Sequence, residues 1–182
     1  YQKDLDITHG VALDILPLDG YPDNKLERKI QCFWALLYSL YCAQLIPENH
    51  GKLMTIIGKV MLGVIPLKNI RYKIWKFAEK RMTKYSIKEC KGITELCSGP
   101  GYMKNWYPKE AFAKAVFLPF EDTEMPIPMG YDAYLKIAFG DYMRMPPVEK
   151  RVGHHEALYM DLDASYKKYK GVYYCAKSST IF

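Results

Sequence analysis

The chain has 182 residues, of which 49% are hydrophobic and 25% are charged, the size and composition of one folded domain. Its 14% aromatic content, with 16 tyrosines, excludes an intrinsically disordered chain. The five cysteines are scattered and form no C-x-x-C pair, which favours reduced cytosolic thiols over a disulfide framework. Zinc binding by Cys90, Cys97 and the adjacent His154 and His155 stays open as an alternative, although the spacing is not that of a zinc site.

The positive charge is concentrated in one part of the chain. Residues 52–91 contain 11 Lys or Arg and two Glu, a local net charge of +9. Since the whole chain carries +6, the remaining residues carry a net charge of −3. Such a segment fits an anionic partner, such as a phosphorylated substrate or a membrane surface, and it equally fits a solvated helix face. No nucleic-acid-binding motif accompanies the charge, so we expect no nucleic-acid partner.

The first predicted element is a strand over residues 10–16, in which one acidic residue interrupts an apolar run. Asp14 stands between Leu13 and Ile15 in the stretch VALDIL. A carboxylate in such surroundings is costly to bury unless a hydrogen-bond network, a basic side chain or a metal ion pairs with it. Asp14 is therefore the first candidate functional residue. Residues 19–22 (DGYP) are predicted to form a turn after the strand.

Three helices are predicted next. Asn24 and Glu27 have capping-box spacing at the start of the first helix, which Pro47 ends. The second helix covers residues 52–67 and the third, rich in basic residues, covers 69–85. The last two either lie on a membrane surface, basic groups toward anionic lipid, or pack on their own core, which is the usual fate of amphipathic helices. The apolar stripe of the second helix consists of Leu53, Ile56, Ile57, Val60, Met61 and Val64.

The C-terminal part is predicted to be less regular. Prolines and glycines interrupt residues 86–130, where one short strand is expected over 115–121. A helix over 132–139 follows, with Asp132 as its N-cap and Gly140 as its C-terminal stop.

Together these elements predict an α+β fold that is dominated by helices. A last helix is expected over 155–170. The whole chain is predicted to be one domain, with a core strand in residues 1–22, a helical insertion in 23–91 and a C-terminal portion in 92–182.

Two segments resemble the LicD family of phosphotransferases, the group that includes bacterial phosphocholine transferases and, more distantly, fukutin-like proteins. They are residues 9–19 (HGVALDILPLD) and residues 128–155, which contain YDAYL, FGDYM and two adjacent prolines. The resemblance implies a nucleotidyltransferase-like mixed sheet flanked by helices, of which this chain would form the C-terminal two-thirds. It also covers most of the chain, although the helical middle has no diagnostic motif.

The resemblance implies a metal site built from three carboxylates. Asp14 looks like the third of them and is the expected metal ligand. The paired acidic motif of the family lies upstream in a stretch resembling DDDID, and this chain lacks that stretch. Asp4 and Asp6 imitate it but stand too close to Asp14 to leave room for the intervening elements. We therefore expect that an upstream portion precedes Tyr1 and that the chain alone is inactive.

The activity implied is a Mg²⁺- or Mn²⁺-dependent transfer of phosphocholine, or a similar phospho-alcohol, from a CDP-activated donor to a cell-surface glycan. Teichoic acid, lipopolysaccharide and capsule precursors are the expected acceptors, and the expected location is the cytoplasm, with peripheral contact at the inner face of the membrane left open. Alternatives are another nucleotidyltransferase, a pentitol-phosphate transferase on the same fold, or a non-catalytic binding module apposed to the membrane.

Further site residues are predicted from their chemistry. Asp19 and Asp141 are candidate catalytic carboxylates beside Asp14. The remaining candidates bind substrate: two tyrosines as an aromatic wall for a quaternary ammonium group, two basic residues for the donor phosphates, and a histidine for phosphate or for acid–base work. These are Tyr131, Tyr142, Lys150, Arg151 and His154.

Overall fold

The computed structural model describes residues 13–46, 51–151 and 161–169. The chain divides into two compact units, one spanning Leu16–Met143 and the other containing the described residues on either side of it. In the smaller unit those residues include two short 3-10 helices, Val148–Lys150 and Tyr166–Tyr169. The larger unit contains β1 (Asp19–Tyr21), α1 (Lys25–Ala43), α2 (Lys52–Val64), α3 (Lys68–Met82), β2 (Gly92–Thr94), β3 (Tyr107–Pro108), β4 (Ala115–Phe120), β5 (Thr123–Pro128) and α4 (Tyr131–Phe139).

The predicted α+β class is confirmed. In the larger unit β1, β2 and β3 form an antiparallel sheet in that order, with Asp19 paired to Thr94 and Gly20 to Ile93. A separate antiparallel hairpin joins β4 to β5. The finer expectations, a nucleotidyltransferase-like sheet and a single domain with three portions, stay predictions.

The predicted strand over residues 10–16 is wrong for the part that the structure describes. Leu13, Asp14 and Ile15 are exposed and have no regular structure, and residues 10–12 lie outside the described ranges. The strand begins at Asp19, where a turn was predicted, because the hydrogen-bonding partner β2 lies opposite residues 19–21. An apolar run alone does not make a strand without such a partner.

The N-terminal cap of α1 is confirmed. The side-chain oxygen of Asn24 accepts hydrogen bonds from the backbone N–H groups of Leu26 (2.8 Å) and Glu27 (3.3 Å). The helix ends at Ala43, earlier than predicted, because Gln44 adopts a left-handed conformation (φ 51°) that closes the last turn.

The core of the larger unit lies between α1, α3 and the sheet. Ala35, Met82, Leu96 and Met103 form one buried cluster. Two ring contacts extend the packing of α1 on α3. Trp34 meets Phe77 edge to face, and Tyr38 stacks on Trp75.

The second helix does not bury its apolar stripe. α2 ends at Val64, two residues before Pro66, and the exposed fractions of Leu53 and Val64 are 70% and 73%. The expectation that this stripe packs on a core is therefore wrong. Among the described residues no helix is long and apolar enough to cross a membrane.

The hairpin and the last helices were predicted in part. β4 lies where a strand was expected, but β5 was missed because Pro126 and Pro128 argue against a strand interior. Proline is tolerated at a sheet edge, and in this two-stranded hairpin each strand has a free edge. Of the helix predicted over 155–170, residues 155–160 and 170 lie outside the described ranges, and the described remainder contains only the 3-10 helix Tyr166–Tyr169.

The helix after the hairpin is confirmed with a different N-cap. α4 begins at Tyr131 and its N-cap is Gly130, so Asp132 lies inside the first turn. Gly140 is the predicted C-terminal stop, and its φ of 72° is a conformation that favours glycine.

Candidate functional site

The first motif places Asp19 in a buried position on β1. Only 9% of this residue is exposed, and its Oδ2 atom has no hydrogen-bond partner among the described residues. Burial raises the pKa of the Asp19 carboxyl above its ordinary value of 3.8, and the charge of Arg28 opposes that shift in part. Asp19 is thus set into the core of the larger unit and held away from solvent.

Next to Asp19, a buried polar network joins β1, α1, α3 and β2. The Arg28 guanidinium donates to Gln31 Oε1 (2.5 Å) and to the hydroxyl of Thr94 (3.0 Å). Gln31 Nε2 donates in turn to the carbonyls of Gly20 (2.9 Å) and Met82 (3.0 Å). Because the carbonyl acceptors lie on two different elements, Gln31 fixes the end of the first motif to the end of α3.

Gly20, the residue that follows the first motif, has a packing role. A Cβ atom at Gly20 would lie 2.6 Å from the carbonyl oxygen of Tyr85 and 2.9 Å from that of Ser86. Both are backbone atoms, which cannot turn aside as a flexible side chain can. The chain after α3 can therefore pass close to β1 only while this position has no side chain.

We expect Gly20→Ala to lower the free energy of unfolding by about 1–3 kcal/mol, because the added methyl group overpacks this contact. Urea unfolding monitored by circular dichroism measures the change. Gly63→Ala is the matched control: it lies in α2 with no atom within 4 Å of the added Cβ, so it is expected to stabilise the helix by up to about 1 kcal/mol. Equal effects of the two substitutions would contradict the packing role of Gly20.

The raised pKa of Asp19 predicts how the stability of the protein depends on pH. Between 3.8 and the higher pKa of the folded state, the folded protein binds more protons at Asp19 than the unfolded chain does. The contribution of Asp19 to stability therefore falls as pH rises through this window. Asparagine does not titrate, so the stability of Asp19→Asn is not expected to show this decrease. The free energy of unfolding of the variant minus that of the parent should therefore increase as pH rises through the window. Urea unfolding of both proteins at pH values on either side of 3.8 tests this, and a constant difference would contradict it.

In the second motif, α4 packs against other parts of the larger unit. The Tyr134 hydroxyl donates to the buried carboxylate of Glu95 (2.5 Å), and its ring lies 4.9 Å from that of Tyr107. Burial and the Glu95 contact raise the pKa of Tyr134. At the start of the helix a Cβ atom on Gly130 would lie 2.4 Å from the Cβ of Ala111, so the glycine permits close approach here too.

Of the two predicted aromatic residues, Tyr131 begins α4 and Tyr142 bonds to its first turn. The Tyr142 hydroxyl donates to Asp132 Oδ1 (2.9 Å), and Lys136 donates to Oδ2 (2.7 Å). The hydrogen bond to Asp132 raises the pKa of Tyr142, and Tyr131 is near enough to add to the same shift. The FGDYM segment thus folds back onto the first turn of the helix that precedes it.

The other predicted site residues that the structure describes are exposed. Asp141 lies in the larger unit, whereas Asp14, Lys150 and Arg151 belong to the smaller unit. Arg151 Nε donates to the carbonyl of Pro146 (2.7 Å), and His154 lies outside the described residues. The described ranges contain no group of three or more His, Cys, Asp or Glu that could hold a metal ion. Asp14 alone does not make a metal site, so the metal ligand set stays a prediction.

Sequence reasoning missed three residues that organise both motifs: Arg28, Gln31 and Glu95. Arg28, Gln31 and Ala35 follow helical spacing and form the buried face of α1. A search for an apolar stripe overlooks this face because two of its members are polar. No local signal marks Glu95, whose partner Tyr134 lies 39 residues away.

No family model matches the chain, and no solved structure matches it. A curated relative, the lipopolysaccharide cholinephosphotransferase LicD of Haemophilus influenzae, is 34% identical over 84 residues. The match covers 46% of this chain and 32% of the relative, so the chain spans about a third of the relative's length. The predicted resemblance to LicD is therefore confirmed over just under half of this chain.

Proposed function

We propose that the protein containing this chain transfers phosphocholine, or a similar phospho-alcohol, from a CDP-activated donor to a cell-surface glycan precursor. The observation that carries the proposal is the 84-residue match to a lipopolysaccharide cholinephosphotransferase. Lipopolysaccharide is the acceptor that the relative's name suggests, and teichoic acid and capsule precursors are others of the same class.

In the proposed reaction an acceptor hydroxyl attacks the phosphorus that carries choline. The new bond joins the acceptor oxygen to that phosphorus, the bond to the CMP oxygen breaks, and the hydroxyl proton passes to a base or to water. Such transfer depends mainly on positioning and on neutralising the phosphate charge. Mg²⁺ would supply that neutralisation, with Asp14 as one ligand and the remaining carboxylates contributed from outside the described residues.

The buried and exposed candidates suit different roles in this proposal. Asp14 is exposed and can reach a ligand, whereas Asp19 is buried, with the charge of Arg28 near its carboxyl group. Tyr131 and Tyr142 offer aromatic faces for a quaternary ammonium group. Asp141, Lys150, Arg151 and His154 remain candidates for binding or catalysis on the basis of the resemblance.

Release of CMP tests the proposal. The complete gene product is incubated with CDP-choline, a glycan acceptor and Mg²⁺, and CMP is measured with and without a chelator. We expect release that needs both the acceptor and the metal. Other CDP-alcohols, including a CDP-pentitol, distinguish phosphocholine transfer from pentitol-phosphate transfer, and a nucleoside triphosphate tests nucleotidyl transfer. Absence of CMP release from every CDP-alcohol would refute the proposed function.

A further inference from the structure

One face of α2 carries a row of exposed apolar residues that neither motif uses. Leu53, Ile56, Ile57, Val60 and Val64 are all exposed. At 100° per residue they lie within about 100° of the helix circumference, so they form one continuous stripe. Gly58 and Leu62, the buried residues of α2, lie on the opposite side. The helix therefore presents five large aliphatic side chains to solvent, and only Gly58 and Leu62 face inward and are buried.

Polar contacts near its C-terminal end help to hold α2 in place, and they leave the stripe free. Arg71 of α3 donates to the carbonyls of Leu62 and Ile65, each at 2.6 Å. The Tyr41 hydroxyl of α1 donates to the carbonyl of Met61 (3.2 Å). These bonds satisfy carbonyls that a helix end would otherwise leave unpaired, so the exposed stripe is the surface of an anchored helix.

The charge around the stripe selects the kind of partner. α2 contains no acidic residue, and Lys52 and Lys59 are exposed at one border of the stripe. The surrounding segment, residues 52–91, carries a net charge of +9. An apolar stripe bordered by lysines suits an anionic lipid surface, since the aliphatic side chains enter the acyl boundary while the lysines extend to the headgroups.

We propose that α2 is an interfacial helix that docks this protein on an anionic membrane through Leu53, Ile56, Ile57, Val60 and Val64, with Lys52 and Lys59 at the headgroups. This inference goes beyond the proposed transferase activity and does not depend on it. It would bring the protein to the surface where lipid-linked acceptors are found.

Vesicle flotation of the complete gene product tests the proposal. We expect binding to vesicles that contain phosphatidylglycerol, weaker binding to pure phosphatidylcholine, and loss of binding as salt is raised. The triple variant Leu53→Gln/Ile57→Gln/Val60→Gln is expected to bind at least about tenfold more weakly. Replacing Lys52 and Lys59 by Gln is expected to cost about fivefold per lysine, and only on anionic vesicles.

The control removes exposed apolar groups elsewhere in the larger unit. Phe117→Gln/Met125→Gln changes two exposed residues of the β4–β5 hairpin and is expected to leave flotation unchanged. Circular dichroism and the unfolding midpoint establish that each variant is folded. Equal binding by the parent and the triple variant would overturn the proposal, as would no binding by the parent. Self-association that the triple variant abolishes, without vesicle binding, would assign the stripe to a second copy instead.

Discussion

Asp14→Asn in the complete gene product is expected to lower the rate of phosphocholine transfer by about 10²–10³-fold. The substitution keeps the size of the side chain but removes the negative charge that the proposed metal site needs. A bound divalent ion contributes several kcal/mol of transition-state stabilisation, and each 1.36 kcal/mol corresponds to a tenfold change in rate. The measurement is the initial rate of CMP release at saturating donor and acceptor. Because Asp14 is exposed, we expect the stability of the variant to match that of the parent.

Asp122→Asn is the matched control for this change. Asp122 is an exposed aspartate between β4 and β5, and its replacement is expected to leave the rate unchanged. Raising the Mg²⁺ concentration should restore part of the activity of Asp14→Asn if the lost group is a metal ligand. A variant at Asp14 that retained full activity at low Mg²⁺ would show that the LicD-like motif does not supply a ligand here, even if the parent releases CMP.

The second large effect is on stability, at the buried network beside Asp19. Gln31→Leu is expected to lower the free energy of unfolding by about 3–5 kcal/mol. Only 1% of Gln31 is exposed, and its loss leaves the carbonyls of Gly20 and Met82 and one guanidinium nitrogen of Arg28 without partners. Each buried group left unpaired costs about 1–3 kcal/mol. Leucine has a similar volume, so the loss reports hydrogen bonding rather than a cavity.

Lys29→Leu is the control for the same helix. Lys29 is exposed on α1, and its replacement is expected to change stability by no more than about 0.5 kcal/mol. A double-mutant cycle with Arg28→Met then measures the coupling between Arg28 and Gln31, expected at about 0.5–3 kcal/mol because the two side chains touch. If Gln31→Leu were as mild as Lys29→Leu, the network would not be what joins the first motif to α1 and α3.

The two predictions address different parts of the first motif. Asp14 is exposed, and the proposed function assigns it to the chemistry, whereas Asp19 and the adjacent Gly20 are held by the contacts of β1. A stability assay and a transfer assay on the same variants separate them.

The features that the sequence alone determined are those that depend on near neighbours in the chain. The Asn24 cap was predictable because its side chain bonds backbone groups two and three residues ahead. The stop at Gly140 was predictable because a positive φ favours glycine. The resemblance to LicD was likewise predictable from short, nearly continuous stretches of sequence.

Tertiary structure decided which faces are buried and where the first strand lies. β1 begins at Asp19 because β2, more than 70 residues later, pairs with it there, and no local pattern contains that partner. The inward face of α1 contains Arg28 and Gln31 because Thr94 and two carbonyls are present to satisfy them. The stripe of α2 is exposed because the same helix is held by its backbone carbonyls near one end. Periodicity shows that a helix has an apolar face, but only the packed chain decides what that face meets.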